Sequence, residues 1–264
     1  NEGGDENYVQ GRWAEVSLAN KTYGKLSLGK GDTASNNTSQ VDLSRTDVVL
    51  YSSVSDIVAG LQFRTRGGKN LTGIEVSDAF NDQDGLSRQS RLRYDTPSFY
   101  GFSLAGSVVS NQRADAALFW GGQGYGFKAA AAAAVSDPNQ NNTDLRYNGS
   151  FSMLHEHTGL NLTLSSGLLD RDDRDDPLNL YGKLGWIAEF WDLGTTAFGV
   201  DYTRSFNTTA EDDEGYSVGA AVVQLIEPFG TELYLQYRLF SLDRDAGPGV
   251  EDIHAGTLGA RVKF

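Results

Sequence analysis

Cysteine is absent from the 264-residue chain. That excludes disulfide scaffolds, thiolate metal centres and thiol nucleophiles. Long apolar runs are also missing: nothing approaches the roughly 20 consecutive apolar residues that a bilayer-crossing helix needs. A helical membrane protein is therefore excluded, whereas a barrel is not, because its strands are short and alternate. The mean hydropathy of -0.40 fits a barrel for the same reason. Positive charge is scarce, with 22 Lys+Arg against 35 Asp+Glu and a net charge of -13. This argues against nucleic acid, whose phosphates are neutralised by Lys and Arg. No signal peptide is visible, so the sequence reads as a processed chain, a fragment or a cytosolic protein. No Gly-rich phosphate loop opens a helix after a strand. No constellation points to hydrolytic chemistry, and the chain reads as a non-enzyme without a cofactor.

What the chain does have is alternation. Only 5 prolines accompany 31 glycines and 12 tyrosines, a balance that favours strands and tight turns. Successive strand residues point to opposite faces. In the closing hairpin, Thr231 to Phe264, Leu233, Leu235, Tyr237 and Leu239 oppose Glu232, Tyr234, Gln236 and Arg238. Leu258, Ala260, Val262 and Phe264 likewise oppose Thr257, Gly259, Arg261 and Lys263. The pattern predicts strands at Tyr8–Ala19, Lys25–Gly29, Arg91–Asp95, Phe102–Val108, Ala114–Trp120, Phe127–Val135 and Leu145–Met153. Others follow around Leu162, over Leu178–Phe190, around Phe198 and around Val218. In the first strand Trp13 breaks the parity of Val16 and Leu18, which a bulge or an inward-packed indole would explain.

Residues 32–87 differ. They are rich in Ser, Thr, Asn, Asp and Gly and lack sustained alternation, and a connection of this length is usually functional or disordered. Ser53–Phe63 is expected to form one or two helical turns capped by Ser53 or Ser55. The remaining connections alternate between a short set (NKTYG, PSFYG, GGQGYG, HEHTG, WDLG, EPFG) and a longer polar set at 109–114, 136–144, 168–177, 205–215 and 243–254. Tyr100, Trp120, Tyr125, Phe190, Trp191 and Phe229 gather near strand ends, as an interfacial girdle requires. No segment supplies a second layer to cover the apolar face. The fold class is all-β, a transmembrane antiparallel up-and-down barrel with about thirteen visible strands.

Three stretches carry a family resemblance. YGKLSLGKGDTAS resembles the strand that leads into the constriction loop of the general Gram-negative porins. RLRYDTPSFYGFSL is similar to the hairpin after that loop, and GARVKF to the closing strand ending in Phe. The resemblance implies a single porin domain over 1–264, with 32–87 as the inward-folded constriction loop and 88–264 as a continuous meander. Porins of this type have about sixteen strands. The segment at Tyr8 resembles the fourth, so either the first three lie outside this sequence or two short strands lie within 32–87. The implied function is an outer-membrane diffusion channel for ions and small hydrophilic solutes, as a homotrimer among lipid and lipopolysaccharide; a substrate-specific porin or an outer-membrane barrel enzyme would share the pattern.

In such a channel the functional residues surround the narrowest point. The loop carries Asp42, Asp47, Asp56, Glu75, Asp78, Asp82 and Asp84, while Arg12, Arg91 and Arg93 are candidates for a facing basic wall. Arg64 and Arg66 lie within the loop itself. Opposed rows of acid and base would set a transverse field across the lumen. The constriction is expected at Arg12, Arg91, Arg93, Asp42, Asp47, Glu75 and Asp78. Net negative charge suggests a mild cation preference. The run Asp170–Asp176 (DRDDRDD) reads as a solvated external loop with at most an adventitious divalent cation. His155, Glu156 and His157 fall at a turn and read as ordinary turn residues.

Overall fold

The computed structural model describes residues 11–68 and 70–263. One antiparallel sheet dominates: β1 (Ala14–Asn20), β2 (Gly24–Asp32), β5 (Arg88–Asp95), β6 (Phe102–Val109), β7 (Arg113–Gly124), β8 (Phe127–Asp137), β9 (Thr143–His155), β10 (Leu160–Arg171), β11 (Leu178–Trp191), β12 (Gly194–Phe206), β13 (Glu214–Ile226), β14 (Thr231–Asp243) and β15 (Ile253–Val262). These 13 strands pair with their neighbours in that order. Two more, β3 (Gln62–Arg64) and β4 (Leu71–Glu75), form a separate hairpin, followed by the short helix α1 (Val76–Ala79). The loop thus does contain two short strands, but they pair with each other and add nothing to the wall. Among the described residues β1 and β15 are the edges of the large sheet and do not pair. Phe264 and the stretch from Tyr8 to Gln10 lie outside the described residues, so their expected orientation and pairing do too.

Alternation produces the wall. On β14, Leu233, Leu235 and Tyr237 are 44%, 53% and 53% exposed, whereas Gln236 and Arg238, of the opposite parity, are buried. In water this arrangement would leave a large uncovered apolar surface; in a bilayer the hydrocarbon covers it. Strands β7 to β14 are 11 to 14 residues long, enough for the roughly 9–11 that a tilted strand needs to cross. They run on past the predicted ends, which leaves connections at 110–112, 138–142, 172–177, 207–213 and 244–252 at one rim. The opposite rim carries the predicted short turns, with Tyr100, Tyr125, Trp191 and Phe229 exposed on it. In one of these turns, a Cβ on Gly24, at φ +88°, would meet the Asp95 carbonyl at 2.1 Å, so only glycine fits there.

Trp13 precedes β1 and is exposed, and the β1–β2 register runs without a shift from Ala14↔Lys30 to Asn20↔Gly24. The parity break is therefore neither a bulge nor an inward-packed indole. The helical turns expected at Ser53–Phe63 are also absent. Residues 52–61 form separate turns, with Asp56, Val58 and Leu61 N–H each donating to the carbonyl three residues back, and the Ser55 hydroxyl donates to the Phe80 carbonyl at 2.9 Å instead of capping. Val54, Ile57 and Val58 are β-branched and Gly60 follows, a poor helical run. The helix forms instead at 76–79, where Glu75 and Asp78 make a reciprocal capping box.

The apolar core lies inside the barrel, between loop and wall. Val54, Phe63, Val76, Ala79 and Phe80 of the loop pack on Tyr181, Phe240, Leu242 and Val250. Val49 and Leu50 pack on Ala197, Ala221 and Val223.

Candidate functional site

The loop after β2 turns inward and its first limb crosses the inner wall strand by strand. Ala34 N–H donates to Ser107 Oγ on β6 (2.7 Å) and Ser35 N–H to Asp115 Oδ2 on β7 (2.9 Å). Val41 and Leu43 N–H donate to Ser150 and Ser152 Oγ on β9, both at 2.9 Å. Further on, Gln236 Nε2 of β14 donates to the Val49 carbonyl at 2.7 Å. These wall residues share the inward parity of their strands. Short hydroxyl side chains there let the loop backbone approach closely and satisfy its orphan amides.

The loop turns back at the β3–β4 hairpin, which bonds to the last external connection. Arg66 N–H donates to the Gly249 carbonyl and Glu251 N–H to the Arg64 carbonyl, both at 2.8 Å. The second limb then returns past β10 and β9. At Gly167 a Cβ would meet the Asp82 carbonyl oxygen at 2.3 Å, so the missing side chain is what admits the limb. Arg146 Nη1 on β9 donates to the Gly85 carbonyl at 2.6 Å.

Between the two limbs and the wall, on the side of the external connections, lies a polar cavity of about 610 Å³. Its basic lining is Arg12, Arg88, Arg113 and Arg146, and its acidic lining Asp56, Asp82 and Asp84. Asp84 clasps the limbs: it accepts Asn37 N–H at 2.6 Å, Ser39 N–H at 3.0 Å and Ser39 Oγ–H at 2.7 Å. Asp82 accepts Gln40 Nε2 at 3.0 Å and Ser39 Oγ–H at 3.3 Å. Burial, and then the neighbouring Asp84 carboxylate, raise its pKa from 3.8 to about 6. The Tyr51 hydroxyl donates to Asp56 at 2.7 Å; burial and that carboxylate push the phenol well up, so it stays neutral. Beneath the first limb, Arg45 lines two further cavities, of about 530 and 350 Å³, and donates to Thr195 Oγ1 at 2.7 Å.

Of the seven residues expected at the constriction, Arg12 lines the large cavity. Arg91 is buried and ion-paired with Glu15 of β1, with further bonds to the carbonyls of Asp32 (2.9 Å) and Gly29 (3.0 Å). Arg93 is bound by Asp95 and the Thr33 carbonyl. Both arginines have the inward parity expected of them, but their guanidinium groups fasten β1, β2 and β5 around the loop's root. Asp42 is paired with Lys183 of β11, both side chains buried. Asp47 is exposed on the short-turn side, 3.8 Å from Arg261. Glu75 and Asp78 cap α1. Sequence reasoning missed Arg88, Arg113 and Arg146. Arg146 shares the polar parity of Asn148, Ser150 and Ser152, so its inward direction was legible; its level along the barrel axis was not.

Elsewhere, Arg171 holds Asp173 at 2.9 Å in the acidic run, and His155 Nδ1 bonds Thr158 Oγ1 at 2.8 Å. Among the described residues no His, Asp or Glu group is arranged to hold a metal.

Comparison with known proteins places this geometry. A search of the curated proteins returned no match. Among solved structures, in-vitro folded OmpT, an outer membrane protein of Vibrio cholerae, superposes with a TM-score of 0.56 at 14% identity, over 90% of this chain and 76% of that one. An anion-selective porin from Comamonas acidovorans gives 0.55 at 14% identity, over 95% and 77%. At such identities the likeness is one of fold, and it makes the open sheet a barrel wall. Residues 1–260 match the Gram-negative porin family, and with that match spanning nearly the whole sequence, the chain belongs to this family of outer-membrane channel proteins.

Proposed function

We propose that the chain forms a general diffusion channel, in which ions and small hydrophilic solutes pass the loop through the charged cavity. The observation that carries this reading is the facing of Arg12, Arg88, Arg113 and Arg146 with Asp56, Asp82 and Asp84 around one polar space of about 610 Å³. A permeating ion there lies within roughly a Debye length of all these charges. The opposed rows orient dipolar solutes, while polar walls replace part of their hydration. Net charge would favour cations, but four arginines against three aspartates favour anions weakly where the ion meets the fixed charge. We take the lining as decisive, since remote surface charges are screened. A homotrimer fits the Vibrio cholerae OmpT relative solved in a trimer form. The exposed apolar wall fits membrane lipid, and the external acidic connections fit the lipopolysaccharide rim.

The test is insertion of the purified protein into planar bilayers. Stepwise conductance is expected, with a modestly anion-selective reversal potential under a salt gradient. Absence of steps from a folded preparation overturns the channel reading. Saturable block by one solute class would move it to a substrate-specific channel.

A further inference from the structure

Two carboxylates of the cavity occupy unlike positions. Asp84 is half-buried and receives three hydrogen bonds from Asn37 and Ser39 of the opposite limb, plus one from Asn148 Nδ2 of β9 at 3.3 Å. Asp82 is 8% exposed and receives only side-chain donors from Gln40 and Ser39 and the Asp84 amide at 3.3 Å. Among the described residues neither carboxylate has a Lys or Arg nitrogen within ion-pair distance. Arg146, the basic group facing them from β9, spends Nη1 on the Gly85 carbonyl. Asp56 and Tyr51 face them from the middle of the loop, Arg88 from β5, Arg113 from β7, and Arg12 from the segment before β1. Two carboxylates two residues apart, one of them buried with no cation in ion-pair contact and Arg146 acting only from beyond that distance, share a charge that is costly to hold twice.

We propose that Asp82 is a selectivity-determining residue of the channel, carrying a proton-dependent charge that makes the pore more anion-selective on mild acidification. The inference rests on the channel reading above and deepens it. At neutral pH the cavity lining carries four positive and three negative charges; when Asp82 takes up a proton the balance becomes four to two. Guanidinium groups are always charged in proteins, so the four positive charges stay. Burial and the Asp84 carboxylate place the Asp82 proton near pH 6, a range that free carboxylates do not reach. Removing one elementary charge some 7 Å from a permeating ion, in high dielectric and with salt screening, lowers cation occupancy and raises anion occupancy by about 1.6-fold each, so their ratio changes by about two- to threefold.

The experiment is the reversal potential of single channels in a KCl gradient at pH 7.5 and pH 5.0. Wild type, Asp82→Asn, Asp84→Asn and His157→Gln are compared, each first checked for folded barrel by circular dichroism. His157 is included because histidines titrate in the same window and this one lines a cavity on the short-turn side. In wild type the cation-to-anion permeability ratio falls by about two- to threefold between the two pH values. Asp82→Asn shows the acid value at both, and His157→Gln behaves as wild type. Asp84→Asn lowers the ratio at pH 7.5 and moves the transition to lower pH, because the neighbouring charge is gone and burial alone is left to favour the Asp82 proton. A pH shift that survives in Asp82→Asn, or is lost in His157→Gln, overturns the inference, as does a conducting wild type without a shift. Should Asp82→Asn fail to fold, the direction of the Asp84→Asn transition decides in its place. A folded protein that gives no conductance steps overturns the channel reading itself.

Discussion

Lys183 on β11 reaches Asp42 at the end of the loop's first traverse, and both side chains are sealed from solvent. Ser44 Oγ (2.7 Å), Thr46 Oγ1 (3.0 Å) and the Leu50 carbonyl (2.8 Å) also lie within hydrogen-bond distance of the ammonium and share its remaining protons. One cation thus gathers nine consecutive positions of the loop, 42–50, onto the wall. A buried pair contributes little net stability as a pair, but removal of one partner strands the other charge, at about 3–5 kcal/mol. Lys183→Met is expected to release the first limb, so that limited proteolysis cuts within 42–50 and single-channel current becomes noisier. The double variant Lys183→Met/Asp42→Asn should recover most of the loss. Equal sensitivity of single and double variants would mean that the pair does not hold the limb.

Gly167 on β10 permits the second limb to lie against the wall, since a Cβ there would meet Asp82 O at 2.3 Å and Gln83 Cβ at 2.6 Å. Gly167→Ala changes no charge, and backbone cannot yield as a flexible side-chain tip would. The limb should be displaced into the cavity or away from it, so unit conductance changes while reversal potential is nearly kept. The two readouts together separate this steric effect from an electrostatic one.

Parity along each strand was legible because it is a local, two-residue property, and it delivered the wall, the sheet order and the inward direction of Arg91, Arg93 and Arg146. Level along the barrel was not legible. It depends on register between strands and on where a 55-residue connection touches each one, and neither leaves a periodic trace. That is why Arg91 and Arg146, alike in the sequence, end differently: Arg91 meets Glu15 across β2, and Arg146 faces open space beneath the second limb. The loop's acids were misassigned for a related reason. Asp42, Glu75 and Asp78 look like free charges until Lys183 and the α1 amides are brought beside them.

The raised Asp82 pKa has a stability consequence of definite sign. The folded carboxyl binds its proton near pH 6 and an unfolded one near 3.8, so between those values the folded protein holds more protons. Stability therefore rises as pH falls from 7 towards 4, by at most about 3 kcal/mol from this group. Thermal unfolding in detergent should shift upwards between pH 7 and pH 5. In Asp82→Asn that upward shift should be missing, and the neutral-pH melting temperature should already match the acid one.

Arg113 and Arg146 allow the charge of the cavity to be separated from the anchoring of the loop. Both line the cavity, but Arg113 bonds outside the loop limbs, to the Ser110 carbonyl at 3.0 Å and Gln89 Oε1 at 3.0 Å. Arg146 instead bonds the returning limb itself at Gly85. Each change to Gln removes one positive charge from the same space, so each should raise the cation-to-anion permeability ratio by about two- to threefold. Only Arg146→Gln also loses a charge-assisted hydrogen bond to the loop, worth about 1.5–3 kcal/mol. It should therefore add current noise and proteolytic cutting near 82–86, which Arg113→Gln should not. Arg146→Lys restores the charge without the fork that reaches Gly85, and so should recover the permeability ratio while keeping the noise. If Arg113→Gln leaves selectivity untouched while Arg146→Gln alters it, the permeation path follows the second limb and bypasses the β7 side of the cavity.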